Sequence, residues 1–230
     1  NIIRQTRAQF GDRVRFLSMR DVQERLDNNL LLGEPLRRPD GSDNGVRIID
    51  VDGDGYQDVV IGNERVRRTR RWSPDTRRFE ESEFPIALDA GARFGVVDAS
   101  GRAALIVNNE SAKGAWRFDG SRWVEAAGML QGLEVAGQPV LTSEGGRDRG
   151  VRLRDLDGDG ICEVVVGNPG QTAVFGWSPA RGEWKQRPYT LPEHALIVDA
   201  KGHDAGLRFV DVNEDGRLDL GGFAQFLAGL

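Results

Sequence analysis

An all-β fold built from repeated four-stranded units is what this sequence predicts, on three observations. Short runs rich in β-branched and aromatic residues alternate with Gly, Pro, Asp and Ser turns. A unit of roughly 50 residues recurs, and no stretch inside it has the length and 3.6-residue spacing of a helix. The 230 residues are 39% hydrophobic and 29% charged, enough for one large or two small cores. No run approaches the roughly 18 apolar residues of a membrane span.

The repeat is explicit. Gly45 to Asn63 (GVRIIDVDGDGYQDVVIGN) returns 105 residues later, without a gap, as Gly150 to Asn168 (GVRLRDLDGDGICEVVVGN). The same offset carries Trp72-Ser73-Pro74 onto Trp177-Ser178-Pro179 and Phe79 onto Trp184. A weaker copy lies between them, Phe94 to Asn109, followed by Trp116 and Trp123, and a fourth start runs from Gly206 to Leu220. The first aspartates are Asp50, Asp98, Asp155 and Asp211, in steps of 48 to 57 residues.

In the first copy, strands are expected over Val46 to Ile49, Val59 to Ile61, around Arg70 to Trp72, and over Arg78 to Glu80. Four short strands per unit correspond to one blade of a β-propeller. The expected fold is therefore an all-β propeller of four-stranded blades, incomplete or with blades outside the recognised stretch, since four starts are too few for a typical ring. The paired aromatics Trp72/Phe79, Trp116/Trp123 and Trp177/Trp184 are expected to pack between neighbouring blades.

Residues 1–42 read as an N-terminal segment that leads into the propeller, and 43–230 as the blades. Ser18 with Asp21, followed by Met19, Val22 and Leu26 at helical spacing, predicts a short helix near 19–28. Leu30-Leu31-Leu32 reads as a strand or a packing segment. Beyond Leu220 the valine-rich strand expected after the acidic loop gives way to a different sequence.

Charge and cysteine exclude several classes. The net charge of -5 gives no overall pull toward nucleic acid. The run Arg65, Arg67, Arg68, Arg70 and Arg71 reads as a solvated strand or hairpin facing nearby acids, with a docking patch for a phosphate or an acidic polymer as the alternative. Cys162 is the single cysteine, so no intrachain disulfide forms, and its apolar neighbourhood suggests a packed thiol. No basic-then-apolar leader follows Asn1, which is compatible with a leader already removed.

The chemistry is concentrated in the aspartate loops. Asp50, Asp52, Asp54 and Asp58 stand at positions 1, 3, 5 and 9, with the Tyr56 carbonyl at position 7. Calcium takes six to eight hard oxygen ligands at about 2.4 Å, and alternate residues of a tight loop can supply them. The third copy offers Asp155, Asp157, Asp159, the Ile161 carbonyl and Glu163. The fourth offers Asp211, Asn213, Asp215, the Arg217 carbonyl and Asp219. The second copy has Asp98 and Ser100 but lacks the later carboxylates, so no ion is expected there. An EF-hand would need a glutamate at position 12, where Ile61 and Val166 stand, and flanking helices. Magnesium resists such dense protein cages.

The Asp-x-Asp-Gly-Asp-Gly-x-x-Asp loop, followed by Val-Val-Ile-Gly-Asn or Val-Val-Val-Gly-Asn-Pro, resembles the FG-GAP/VCBS repeat family over roughly residues 43 to 220. That resemblance implies a calcium-binding β-propeller, commonly of seven blades, in secreted or periplasmic proteins. It also implies calcium ligands at the three loops just described. The lead-in repeated at Asp43–Arg47, Asp148–Arg152 and Asp204–Arg208 resembles the propeller part of large planctomycete-type putative dehydrogenases. In that group the repeats accompany sugar-dehydrogenase-like and haem-binding modules, although no Cys-x-x-Cys-His attachment occurs here.

No nucleophile elbow, phosphate loop or zinc-ligand spacing is present. His194 and His203 are the only histidines, and their spacing does not argue for a proton-transfer pair. The functional expectation is a non-catalytic, calcium-stabilised propeller module of a larger extracellular or periplasmic protein. Its partners would be other domains of the parent protein and a protein or polysaccharide ligand, without nucleic acid or membrane. The alternative is a carbohydrate-active or sugar-oxidising enzyme whose active-site wall the propeller forms.

Overall fold

The computed structural model describes residues 2–11, 14–88, 91–192, 195–216 and 218–222. Two helices come first, α1 (Ile2–Phe10) and α2 (Met19–Arg25), and neither buries a residue. Ser18 starts α2 through a reciprocal cap: its hydroxyl accepts the Asp21 N–H, and the Asp21 carboxylate accepts the Ser18 N–H. A π-turn over Leu26–Leu30 follows. Leu31 then packs with Val46, Val59 and Ile61, covering one face of the first sheet.

The rest is strand and turn. The first sheet takes β1 (Val46–Ile49), β2 (Asp58–Gly62), β3 (Arg67–Ser73) and β4 (Arg78–Glu83) in chain order, all antiparallel. The second repeats that order with β5 (Arg93–Val96), β6 (Ala103–Asn108), β7 (Lys113–Phe118) and β8 (Trp123–Glu125). A 3-10 turn over Ala127–Leu130 and two small hairpins follow. The hairpins are β9 (Glu134–Val135) with β10 (Gln138–Pro139), and β11 (Ser143–Glu144) with β12 (Arg147–Asp148). The third four-stranded sheet runs β13 (Val151–Arg154), β14 (Glu163–Asn168), β15 (Gln171–Ser178) and β16 (Glu183–Gln186). A last pair joins β17 (Leu207–Val210) to β18 (Asp219–Gly222).

Continuous apolar runs in β2, β6 and β14 reflect burial on both faces, because successive side chains point opposite ways. In β6, Leu105 packs toward Val60 and Phe84 of the first unit. Ala104 and Ile106 pack toward Val151 and Val164 of the third. In β14, Val164 and Val166 share that cluster, while Val165 joins Leu191, Ile197 and Leu207 on the far side. Apolar layers between sheets are the main source of stability, at roughly 25 cal/mol per Å² buried.

The expected propeller is not what forms. Among the described residues the strands occupy six separate small antiparallel sheets, none of which closes on itself. The apolar clusters link the sheets in series, and among the described residues no such cluster joins the first sheet to the last. A sequence period reports local strand pairing, whereas ring closure depends on contacts between distant parts of a chain, which periodicity does not encode. The two functional expectations fall with the ring. A propeller module that presents loops to a protein or polysaccharide, and an enzyme whose active-site wall is a propeller, both presuppose it.

The aromatic pairs need a smaller correction. Trp72 faces Phe79 and Trp177 faces Trp184, with ring centres 5.1 and 5.3 Å apart. In the second sheet, however, Trp123 faces Phe118, at 5.6 Å, and Trp116 lies opposite Glu125. The Asp119 carboxylate accepts the Ser121 and Arg122 N–H groups and so fixes that turn one residue later than the repeat predicts. The arginine run faces acids, as expected, with Arg65 on Glu34, Arg68 and Arg70 on Glu81, and Arg71 on Asp52. It is not solvated throughout: Arg70 is buried and also donates to the Asn29 carbonyl at 2.7 Å. No helix among the described residues is long and apolar enough to cross a membrane.

Candidate metal centre

Each acidic loop spans the turn between the first two strands of its sheet, and its own backbone shapes it. Asp50 Oδ1 accepts the Gly53 N–H at 2.8 Å and Oδ2 the Gly55 N–H at 2.9 Å. Asp155 does the same for Gly158 and Gly160, both at 2.8 Å. Asp211 Oδ2 accepts the Gly216 N–H at 2.8 Å. The first aspartate therefore organises the turn in all three copies.

Curling the loop demands left-handed backbone at its fourth position, where Gly53 and Gly158 have φ of 77° and 78°. In the fourth copy that position is Glu214, which adopts φ 59° and carries the strain a side chain meets there.

The curl brings carboxylates together. Oxygens of Asp50, Asp52 and Asp54 lie within 4.8 Å of one another, and those of Asp155, Asp157 and Asp159 do likewise. In the fourth loop the middle member is neutral: Asn213 Oδ1 accepts the Asp215 N–H at 3.0 Å, and its amide donates to Asp215 Oδ2 at 3.1 Å. Arg217 lies outside the described residues. The Tyr56 side chain is exposed and that of Ile161 half-buried, so any contribution from either residue would come through its backbone carbonyl.

The last acid of each loop takes a different position from its neighbours. Asp58 is fully buried; its Oδ2 accepts the Val51 N–H at 2.9 Å and its Oδ1 the Trp72 N–H at 2.6 Å. Glu163 accepts the Leu156 N–H at 3.1 Å, and Asp219 the Val212 N–H at 2.9 Å. These residues staple position 2 to position 9. The i to i+7 spacing shared by the three loops is the signal that could have revealed the staple. Burial pushes the Asp58 carboxyl up to about 6 against its two backbone bonds, with the Asp52 and Asp50 charges adding to the rise. Burial likewise raises Glu163.

The two triads differ in countercharge. Arg71 Nη1 reaches Asp52 Oδ2 at 2.9 Å, whereas the matching residue of the third copy is Gly176. The Arg187 guanidinium lies over Gly176 so closely that a Cβ there would sit 2.4 Å from it. Arg187 points to Glu163, at 3.4 Å, rather than to the triad. In the second copy, Arg117 Nη1 pairs with Asp98 Oδ2 at 2.6 Å.

Both loops of the full type sit at junctions between sheets. The Val51 carbonyl accepts the Ala103 N–H of the second sheet at 2.9 Å, and a Cβ on Gly53 would lie 2.7 Å from the Gly101 carbonyl. The Cys162 N–H, at the end of the other loop, donates to the Val96 carbonyl of the second sheet at 2.7 Å. Burial raises the Cys162 thiol, as suits a packed side chain. His203 is exposed, 3.5 Å from Asp199 through Nδ1, and His194 lies outside the described residues.

The donor set fits a hard divalent cation. Three aspartates on alternate residues converge in each loop, all oxygen donors and without nitrogen or sulfur, as calcium prefers.

Residues 155–221 match a family model described as an FG-GAP-like repeat. No curated protein matches the chain. The match takes in the third and fourth acidic loops and leaves out residues 43–154, with the first loop and the weaker second copy. With no closed sheet present, it supports a short FG-GAP-like segment. It does not support membership of a propeller family or kinship with the propeller part of the large dehydrogenases.

Proposed function

We propose that the chain binds divalent cations, with calcium the best-fitting ion, in the loops at Asp50–Asp58 and Asp155–Glu163, and that the ions fasten neighbouring sheets of an open array. The observation that carries this reading is the convergence of three carboxylates in each loop. Such a cluster repels itself in the absence of a cation. The fourth loop, with Asn213 in place of an aspartate, would bind more weakly because it offers less negative charge.

The ion's role would be mechanical rather than catalytic. Asp50, Asp52 and Asp54 would hold one ion, and Asp155, Asp157 and Asp159 the other, with loop carbonyls and water filling the remaining positions. Asp58 and Glu163 would hold the loop shape from below through their backbone bonds. Because Val51 and Cys162 bond across to the second sheet, ordering the loops would order both junctions. Asp54, Asp157 and Asp159 are exposed, which suits affinities on the order of 0.1–1 mM and a calcium-rich extracellular or periplasmic setting.

Thermal unfolding with calcium, with magnesium, and after chelation tests this reading. Binding to the native loops should raise Tm as calcium rises, by about 2.7 kcal/mol of added stability at a hundredfold excess over Kd, with a smaller effect of magnesium. An identical Tm in all three conditions would refute it.

A further inference from the structure

A cavity of about 340 Å³ opens between β13 of the third sheet and β17 of the last pair, the two strands that lead into the third and fourth acidic loops. Its rim carries two copies of one clasp. Arg152 grips Asp148 through two N–H groups at 3.1 and 2.7 Å, and Arg208 grips Asp204 at 3.0 and 2.8 Å. Arg93 also pairs with Asp148, at 2.8 Å. Both rim carboxylates are therefore already matched.

Arg154 adds a further positive charge to the same cavity. Its Nη1 donates to the Leu153 carbonyl at 2.7 Å, and its guanidinium carbon lies 5.9 Å from the centre of the Phe209 ring. No carboxylate pairs with Arg154 among the described residues. The lining thus brings Arg152, Arg154 and Arg208 together against Asp148 and Asp204, beside an apolar wall of Ile197, Leu207 and Phe209. Guanidinium groups favour planar oxyanions, which they hold by paired N–H donors. The volume suits a small organic ligand.

We infer that this cavity binds a small organic carboxylate, with Arg154 as the principal anchor, Arg152 and Arg208 flanking it, and the apolar wall taking the ligand's uncharged body. The site adjoins the third acidic loop, since Arg154 immediately precedes Asp155, but uses none of that loop's carboxylates.

The test is a calorimetric titration with sodium D-glucuronate at low ionic strength, with D-glucose as the neutral control and sodium sulfate as competitor. The expected result is saturable glucuronate binding with Kd on the order of 1 mM, at least about tenfold weaker binding of glucose, and displacement by sulfate. Arg154→Met should weaken glucuronate about tenfold while Tm stays unchanged. If that variant does not fold, Arg208→Met should show the same loss. Absent saturation, equal binding of glucose, no displacement by sulfate, or full affinity in a folded Arg154→Met protein would overturn the proposal.

Discussion

Arg71 and Asp52 form an ion pair at 2.9 Å that joins the third strand of the first sheet to its own acidic loop. The third sheet has glycine at the matching position, Gly176. A cation entering the first loop must share Asp52 with this guanidinium, while among the described residues no arginine or lysine pairs with Asp155, Asp157 or Asp159. Calcium should therefore bind the loop at Asp155 more tightly than the loop at Asp50. Replacing Arg71 with Met should raise the affinity of the first loop by about fivefold, from a partly exposed pair worth about 1 kcal/mol. Calorimetry on Arg71→Met with the other loop disabled measures it, and an unchanged or lowered affinity would count against the competition.

Glu214 occupies a left-handed position with φ 59°, where the other two acidic loops have glycine. Glu214→Gly should remove strain of about 1–2 kcal/mol, partly offset by the greater freedom of glycine in the unfolded chain. A net gain of about 0.5–1 kcal/mol is expected, seen as a higher urea midpoint with an unchanged m-value.

Trp123 crosses from the second sheet to the first, where its Nε1–H donates to the buried Thr69 hydroxyl at 2.8 Å. Thr69→Val keeps the shape but leaves the indole N–H without its partner, at a cost of about 1–3 kcal/mol. Adding Trp123→Phe to that variant should cost less than Trp123→Phe costs alone, and a double-mutant cycle reads the difference.

Asp148 gives the junction between the second and third sheets an acid sensitivity. Burial pushes its carboxyl up, but the Arg152 hydrogen bond and the Arg93 and Arg152 charges outweigh burial and hold it below the usual carboxylate range. A lowered folded pKa contributes stability that is fully present above the unfolded value of about 3.9 and is lost as pH falls through the folded value. Urea midpoints should drop as the pH falls below about 4, and Asp148→Asn should flatten that part of the profile.

The strands and loops were legible because both are local. Val46 to Ile49 and Val59 to Ile61 lie within β1 and β2, and the Asp50 and Asp155 loops curl where alternate aspartates and glycines require it. Long-range matters were not legible. The period that defines each sheet says nothing about whether a row of sheets closes, and the expected propeller failed there. Asp58 and Glu163 look like ligands in sequence because they continue the acidic spacing. In the structure each opens the second strand of its sheet and an oxygen of each takes the Val51 or Leu156 N–H, a role the spacing alone did not single out. The cavity between β13 and β17 gathers Asp148, Arg154 and Arg208 from three sheets, a meeting that no local motif announces.

Calcium titration of the chelator-stripped chain by calorimetry tests the central claim most directly. Two principal sites are predicted. Asp52→Asn with Asp54→Asn should remove one of them, and Asp157→Asn with Asp159→Asn the other, each variant remaining folded. Absence of binding heat together with an unmoved Tm, or two sites that persist in both double variants, would contradict it.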